Sequence, residues 1–435
     1  MTIERGGSRI DAKILKEIER RVLWLAVRAT DHHRDLGDAD VGGQQADAAS
    51  LVSIMTTLRF GHLRGEDSLA IGPAGSTVGS AIDYLTGRTD RSGLTSQTPG
   101  LDDRALTSLF SAATRRYVDD HFGPLPHTRQ VAVVRDTELE DGSVWEAIAD
   151  PATRGLGSVM LVVDLNRQRL DRVVSDTQAT RLKRFFTDAG WHVIEARYGH
   201  FLQAAFARPG GDALRYHIDS VAGDAYQALF ALSAEELRVH FLQGAEPAVV
   251  DLLEPYDDAA LADLVFNLGG HDTEALLDCF HACDVDTDRP SVVFAYTVKG
   301  WSLPLAGDPL NHRAVLSPAQ VDALRSEVGL TSETEWDRFD PEGDAGQLCA
   351  AVGGATFDRA ITASRPAVPS ALDLVAIGDE ASSQEAFGEL LVCLADLDDV
   401  GDRLVTVSST RTSMSEELAG WMSRAGAYSP VDRRP

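Results

Sequence analysis

From Gln130 onward the chain alternates short β-branched runs with helical stretches, and no other feature restricts its fold as tightly. The runs are Val131–Val134, Met160–Val163, Val193–Ala196 and Val292–Val298. Val131–Val134 and Met160–Val163 are continuously apolar, and Val292–Val298 is interrupted only by Thr297, as expected of strands covered on both faces. Between them lie segments such as Gln178–Asp188, which carries Leu182, Phe185 and Phe186 at helical spacing. Strand, helix, strand in this order requires right-handed crossovers and a parallel sheet. The expected fold is therefore α/β, a doubly wound parallel sheet with helices on both faces. Upstream, residues 10–34 read as an amphipathic helix with Ile14, Ile18, Val22 and Leu25 on its apolar stripe. Residues 48–58 read as a second, with Leu51, Ile54, Met55 and Leu58 on one face.

A stretch rich in Pro, Gly and Asp, roughly Phe339 to Pro369, reads as a linker. The expected organisation is a main domain over 1–340, a linker over 341–370 and a small C-terminal part over 371–435. That part carries one expected helix, Gln384–Leu397, and one expected strand, Arg403–Val407. One helix and one strand do not make a domain. They either cap the main domain or begin a sheet that another chain completes.

At 435 residues the chain can bury a large core. Its 40 basic residues face 67 acidic ones, a net charge of −27, which argues against nucleic acid as a partner. Cys279, Cys283, Cys349 and Cys393 are spaced for neither a zinc knuckle nor a disulfide framework, and reduced structural thiols are expected. Residues 1–7 lack an apolar signal core and no stretch reaches membrane-spanning length, so a cytoplasmic protein without a membrane partner is expected.

In an open parallel sheet, ligands bind beyond the carboxyl ends of the strands. Asp136, Asn166 and Lys299 stand at three such ends. Asp136 and Asn166 are one strand–helix–strand repeat apart, so adjacent strands would set them side by side. A carboxylate, an amide oxygen and a backbone carbonyl suit a hard cation that completes its shell with diphosphate oxygens. An ammonium at Lys299 would face a phosphate or an oxyanion. Polar residues at strand ends also serve packing alone, and geometry leaves both readings open.

Longer stretches carry a resemblance. They are Glu19-Arg20-Arg21, Val41-Gly42-Gly43, Asn166-Arg167-Gln168-Arg169-Leu170-Asp171, Ala189-Gly190-Trp191, Asn267-Leu268-Gly269-Gly270-His271-Asp272, Thr297-Val298-Lys299-Gly300 and Tyr428-Ser429-Pro430. Through them the chain resembles, over nearly all its length, the homodimeric-type decarboxylating component of bacterial pyruvate dehydrogenase, in the transketolase superfamily. The resemblance implies a diphosphate-binding domain, thiamine diphosphate and Mg. Asp136 and Asn166 match the metal-binding side chains, and Gln168 matches the position whose carbonyl completes the metal shell. Thr137 and Glu138 fall with Asp136, Asn166 and Lys299 among the cofactor-binding positions. His312 matches a histidine on a mobile active-site loop, and the resemblance makes His312 and Lys299 the catalytic candidates.

The sequence also departs from that pattern. Arg135 and Thr137 replace both glycines of the Gly-Asp-Gly motif. Ala74 and Gln44 stand where the family has active-site histidines, and the Gly-rich turn expected near Ser108–Ala113 is absent. In the family, a glutamate on the pyrimidine-binding domain activates the cofactor. Residues 384–435 resemble only the start of that domain, with Ser408-Ser409 in place of an acidic pair. The resemblance thus implies a second polypeptide that supplies the pyrimidine-binding domain and its glutamate, in a heterotetramer. The implied reaction moves a two-carbon acyl or hydroxyacyl unit from a keto donor, ketose phosphate or pyruvate, to a thiol carrier such as an acyl carrier protein or lipoyl group, in specialised metabolism. The alternatives are a housekeeping pyruvate dehydrogenase component and a non-catalytic structural subunit with a vestigial diphosphate site.

Overall fold

The β-branched runs form four strands of a five-stranded parallel sheet, three of them inside it and Val193–Ala196 at one edge. The computed structural model describes residues 2–5, 8–35, 44–96, 104–124, 126–166, 176–308, 311, 313–355, 381–397, 400–406 and 418–425. A hairpin of β1 (Thr2–Arg5) and β2 (Ser8–Asp11) leads into helix α1 (Ala12–Asp35), followed by α2 (Gln44–Thr56) and α3 (Pro73–Leu85). The sheet comprises β3 (Ser68–Ile71), β4 (Gln130–Arg135), β5 (Val159–Leu165), β6 (His192–Ala196) and β7 (Ser291–Tyr296). Their spatial order is β3-β4-β5-β7-β6. The two compact units of the chain are Met1–Asp358 and Arg359–Pro435.

Alternate strand residues face opposite layers, as the pleat requires. Val131, Val133, Met160, Val162, Val293 and Ala295 join a core with α1, α2, α3 and the helix Thr273–Val285. Ala132, Val134, Leu161, Val163, Val292 and Phe294 face the other side, against Leu109, Ile148 and Phe186 from helices Arg104–Phe122, Gly142–Ala149 and Asp176–Asp188. The doubly wound α/β expectation is met. Helices between β6 and β7 hold a smaller core of their own around Leu237, Leu253 and Leu261.

Sequence periodicity missed β3, whose four residues are exposed to half-buried at the edge of the sheet. The stretch expected as a linker over 341–370 opens with a helix, Asp344–Gly354, that buries Ala345, Cys349 and Val352 in the first core. Its small residues let that helix lie close: a Cβ at Gly353 would stand 2.0 Å from the Thr86 carbonyl oxygen. The smaller unit holds the expected helix, at Ser383–Ala395, and a second at Ala419–Ala425. Its expected strand is not formed in the described residues. Gly401–Arg403 is a 3-10 turn, and Thr406 turns its hydroxyl to the Trp421 indole N–H at 3.0 Å, while Val407 lies outside the described residues.

No helix among the described residues is long and apolar enough to cross a membrane. The four cysteines are free thiols, and burial pushes Cys279, Cys283 and Cys349 up to about 12.

Two glycines fasten the long connection before β7 to the carboxyl end of the sheet. A Cβ at Gly269 would lie 2.5 Å from the Ala196 carbonyl oxygen, and one at Gly270 would lie 2.4 Å from that of Tyr296. Both clashes are with backbone, so side-chain movement cannot relieve them. Gly270→Ala is expected to destabilise the main unit by about 1–3 kcal/mol, the usual cost of overpacking, read as a lowered denaturant midpoint at unchanged slope.

Candidate active site at the carboxyl end of the sheet

The pairing of β4 with β5 sets the site. Arg135 lies opposite Asp164 in register, and the Asp136 N–H donates to the Asp164 carbonyl at 3.2 Å. Asp136 and Asn166 therefore emerge together beyond the ends of two adjacent strands, both buried.

Between them in sequence, Asp164 is fully buried and organises the floor. Its carboxylate accepts from the Ser50 hydroxyl of α2 at 2.8 Å, from the Thr297 hydroxyl beyond β7, and from the Asn166 amide nitrogen at 3.3 Å. Burial raises the Asp164 pKa, and the bonds from Thr297 and Ser50 oppose that rise. The bond to Asn166 turns its NH2 toward Asp164 and its amide oxygen the opposite way. The Asn166 backbone carbonyl accepts from the Gln227 amide at 3.2 Å.

Lys299 is buried, and its ammonium pairs with an Asp47 carboxylate oxygen at 2.7 Å. The other Asp47 oxygen stands 3.6 Å from the Arg135 guanidinium. Glu138 folds back on the same turn, accepting from the Arg135 backbone N–H at 3.1 Å, with the guanidinium at 3.9 Å. The Glu138 carboxylate is thus engaged with Arg135. Thr137 begins the 3-10 turn Glu138–Glu140 in ordinary right-handed backbone.

The segment between Lys299 and His312, where the resemblance places a mobile active-site loop, packs inward over its described part. Leu303, Leu305 and Asn311 are buried, and Asn311 donates to the Lys299 carbonyl at 3.2 Å. Gln168 and His312 lie outside the described residues.

A second polar chain steadies the Lys299 turn from behind. The Val298 N–H donates to His271 Nε2 at 2.9 Å, so the neutral ring carries its proton on Nδ1. That nitrogen faces the Ser53 hydroxyl at 3.3 Å, and Ser53 donates to Glu19 at 2.5 Å. Trp301 stacks on the imidazole at 4.2 Å between ring centroids.

No family model matches the chain. The pyruvate dehydrogenase E1 component of Cupriavidus necator is 25% identical over 223 residues, 51% of this chain and 24% of that protein. That of Mycobacterium tuberculosis is 30% identical over 201 residues, 46% of this chain and 21% of that protein. In fold, a Campylobacter jejuni transketolase aligns with a TM-score of 0.51 at 16% identity, covering 89% of this chain and 56% of that one. The chain is thus similar in sequence to pyruvate dehydrogenase E1 components and in fold to a transketolase. The match to the curated relatives spans about a quarter of their length and about half of this chain, less than the near-complete resemblance read from the motifs.

Against the superfamily's glycine-flanked motif, the replacements carry no backbone strain. Among the described non-glycine residues only Ser302 has a positive φ, so glycine at positions 135 and 137 would serve close approach rather than conformation. Ala74 sits in the first turn of α3, and Gln44 opens α2. Sequence reasoning missed Asp47, Ser50, Asp164 and Thr297. Asp47 had a signal, being the one charged residue of α2. Asp164 carries the same signal as the one charged residue of β5, while Ser50 and Thr297 are short polar residues that nothing local marks.

Burial pushes His271 down from 6.5 to about 3. The unfolded imidazole takes up a proton below pH 6.5 that the folded one refuses, so stability is lost as pH falls through that value. By about pH 5 the loss from His271 reaches up to about 2 kcal/mol. His271→Gln should show a correspondingly flatter decline of melting temperature between pH 7 and pH 5, and an unchanged decline would remove His271 as its source.

Proposed function

We propose that this chain is the diphosphate-binding part of a thiamine-diphosphate-dependent enzyme of the pyruvate dehydrogenase and transketolase type. The supporting observation is the buried pair Asp136 and Asn166 at the ends of β4 and β5. The donor set fits the metal. A carboxylate and an amide oxygen are hard ligands suited to Mg, and Asp164 holds the amide by its nitrogen end. Asp136 and Asn166, with the Gln168 carbonyl, are the residues that would hold it. Thiamine diphosphate, when bound, supplies an electron sink for cleaving a bond next to a carbonyl.

The chain's own residues have separable tasks in this reading. Asp136 and Asn166 fix the metal and through it the diphosphate. Thr137, at the start of the turn after β4, would contact the diphosphate, and Glu138 holds that turn through Arg135. Lys299 places a positive charge at the sheet end where an anionic group of cofactor or donor is bound. His312 is the candidate for moving a proton to or from the substrate. The transferred unit is a two-carbon acyl or hydroxyacyl group, taken from a ketose phosphate or pyruvate and delivered to a thiol such as that of an acyl carrier protein, in specialised metabolism. A housekeeping pyruvate dehydrogenase role is the alternative within catalysis. A second polypeptide supplies the pyrimidine-binding domain and its activating glutamate, in a heterotetramer. The exposed Phe387 and Val405 of the smaller unit suit coverage by such a partner.

A vestigial site in a structural subunit is the second reading. It is favoured by Asp47 and Glu138, two carboxylates that already engage the cations of the diphosphate end. Titration calorimetry with thiamine diphosphate and Mg, on the chain together with its partner, separates the two. Wild type is expected to bind and Asp136→Ala to weaken binding about 10–100-fold, the scale on which disturbed metal shells act. Equal affinity of the two proteins would establish the vestigial reading.

A further inference from the structure

The carboxylate that meets Lys299 comes from a helix, not from the sheet. Asp47 stands in the first turn of α2 and reaches two cations at once, Lys299 beyond β7 and Arg135 at the end of β4. In the sheet order β4-β5-β7, those two strands flank β5, from whose end Asn166 emerges. The carboxylate therefore bridges the two sides of the position where the proposed diphosphate site lies. A buried ammonium is costly without a counter-ion, and Asp47 supplies one. Glu138 also engages Arg135, so both cations already face a carboxylate.

We propose that Asp47 is an internal anion that sets the charge requirement of this site: it excludes free phosphates and admits a diphosphate only when a divalent cation accompanies it. The identity of the anion rests on the diphosphate reading above; the role of Asp47 as a competitor for Lys299 and Arg135 does not. A free pyrophosphate entering this site adds charge of the same sign as Asp47 and must displace it from both cations. A metal-bound pyrophosphate brings its own compensation, so it meets less repulsion. Asp47 is thus a specificity-determining residue that makes anion affinity depend on the metal.

The probe is inorganic pyrophosphate, titrated calorimetrically into the full chain at low salt, once with Mg and once with a chelator. Wild type is expected to bind the metal-free anion weakly. Asp47→Asn should bind it about tenfold more tightly or better, since a like charge near an anion costs that much or more. The affinity gained on adding Mg should shrink in the same variant. Asp47→Glu, which keeps the charge, should behave as wild type, and adding Lys299→Gln to Asp47→Asn should abolish the gain. Asp47→Ser carries the same expectation as Asp47→Asn and serves if the latter fails to give a cooperative melt. Equal metal-free affinity in wild type and both neutral variants would overturn the proposal, as would the absence of pyrophosphate binding in all of them. An equal gain in Asp47→Glu would overturn it too. Failure of the diphosphate-enzyme reading shows separately, as indifference of thiamine diphosphate binding to Asp136→Ala.

Discussion

The parallel register of β4 on β5 governs everything at the functional end of this molecule. It sets Arg135 against Asp164, which delivers Asp136 and Asn166 side by side. Shifting that register by one residue would exchange the two faces of every strand residue. Val131, Val133, Ala132 and Val134 are all buried, but in cores of different composition, so a slip would disturb both layers at once. The site geometry is thereby held by the same packing that stabilises the sheet.

Charge balance is the second constraint. The chain carries a net −27, yet the site end gathers Arg135 and Lys299 beside Asp47, Glu138, Asp136 and Asp164. Asp164 is kept inside by three side-chain donors, and Lys299 by one carboxylate. Asp164 and Lys299 thus carry into the interior the partners that burial demands. With Arg135 and Thr137 where the resembled motif has glycines, this end of the sheet carries a cation and a hydroxyl in place of bare backbone.

Much of that frame was legible in the chain. The continuous apolar runs announced the central strands because strands buried on both faces leave no polar alternation. The stripe of Ile18, Val22 and Leu25 announced α1, and all three are fully buried. The edge strand β3 was not legible, since four residues at a sheet margin carry no period long enough to detect. The helix Asp344–Gly354 hid in a stretch whose Gly and Asp content resembles a loop, because its glycines serve close packing instead. In the smaller unit a β-rich run failed to become a strand where described, since strand formation needs a neighbour and propensity does not provide one.

At the site the division is sharper. Sequence determined that an Asp, an Asn and a Lys would stand at the carboxyl ends of parallel strands, because strand–helix alternation places strand ends together whatever the side chains do. Only the tertiary structure decided what those groups meet. Asp47 is 252 positions from Lys299 along the chain, and Ser50, Thr297 and Gln227 reach the floor from three different segments. Such partners are chosen by how α2 and the β7 turn dock on the sheet. That docking is a sum of many apolar contacts, none of which marks in the sequence the polar pairs it brings together.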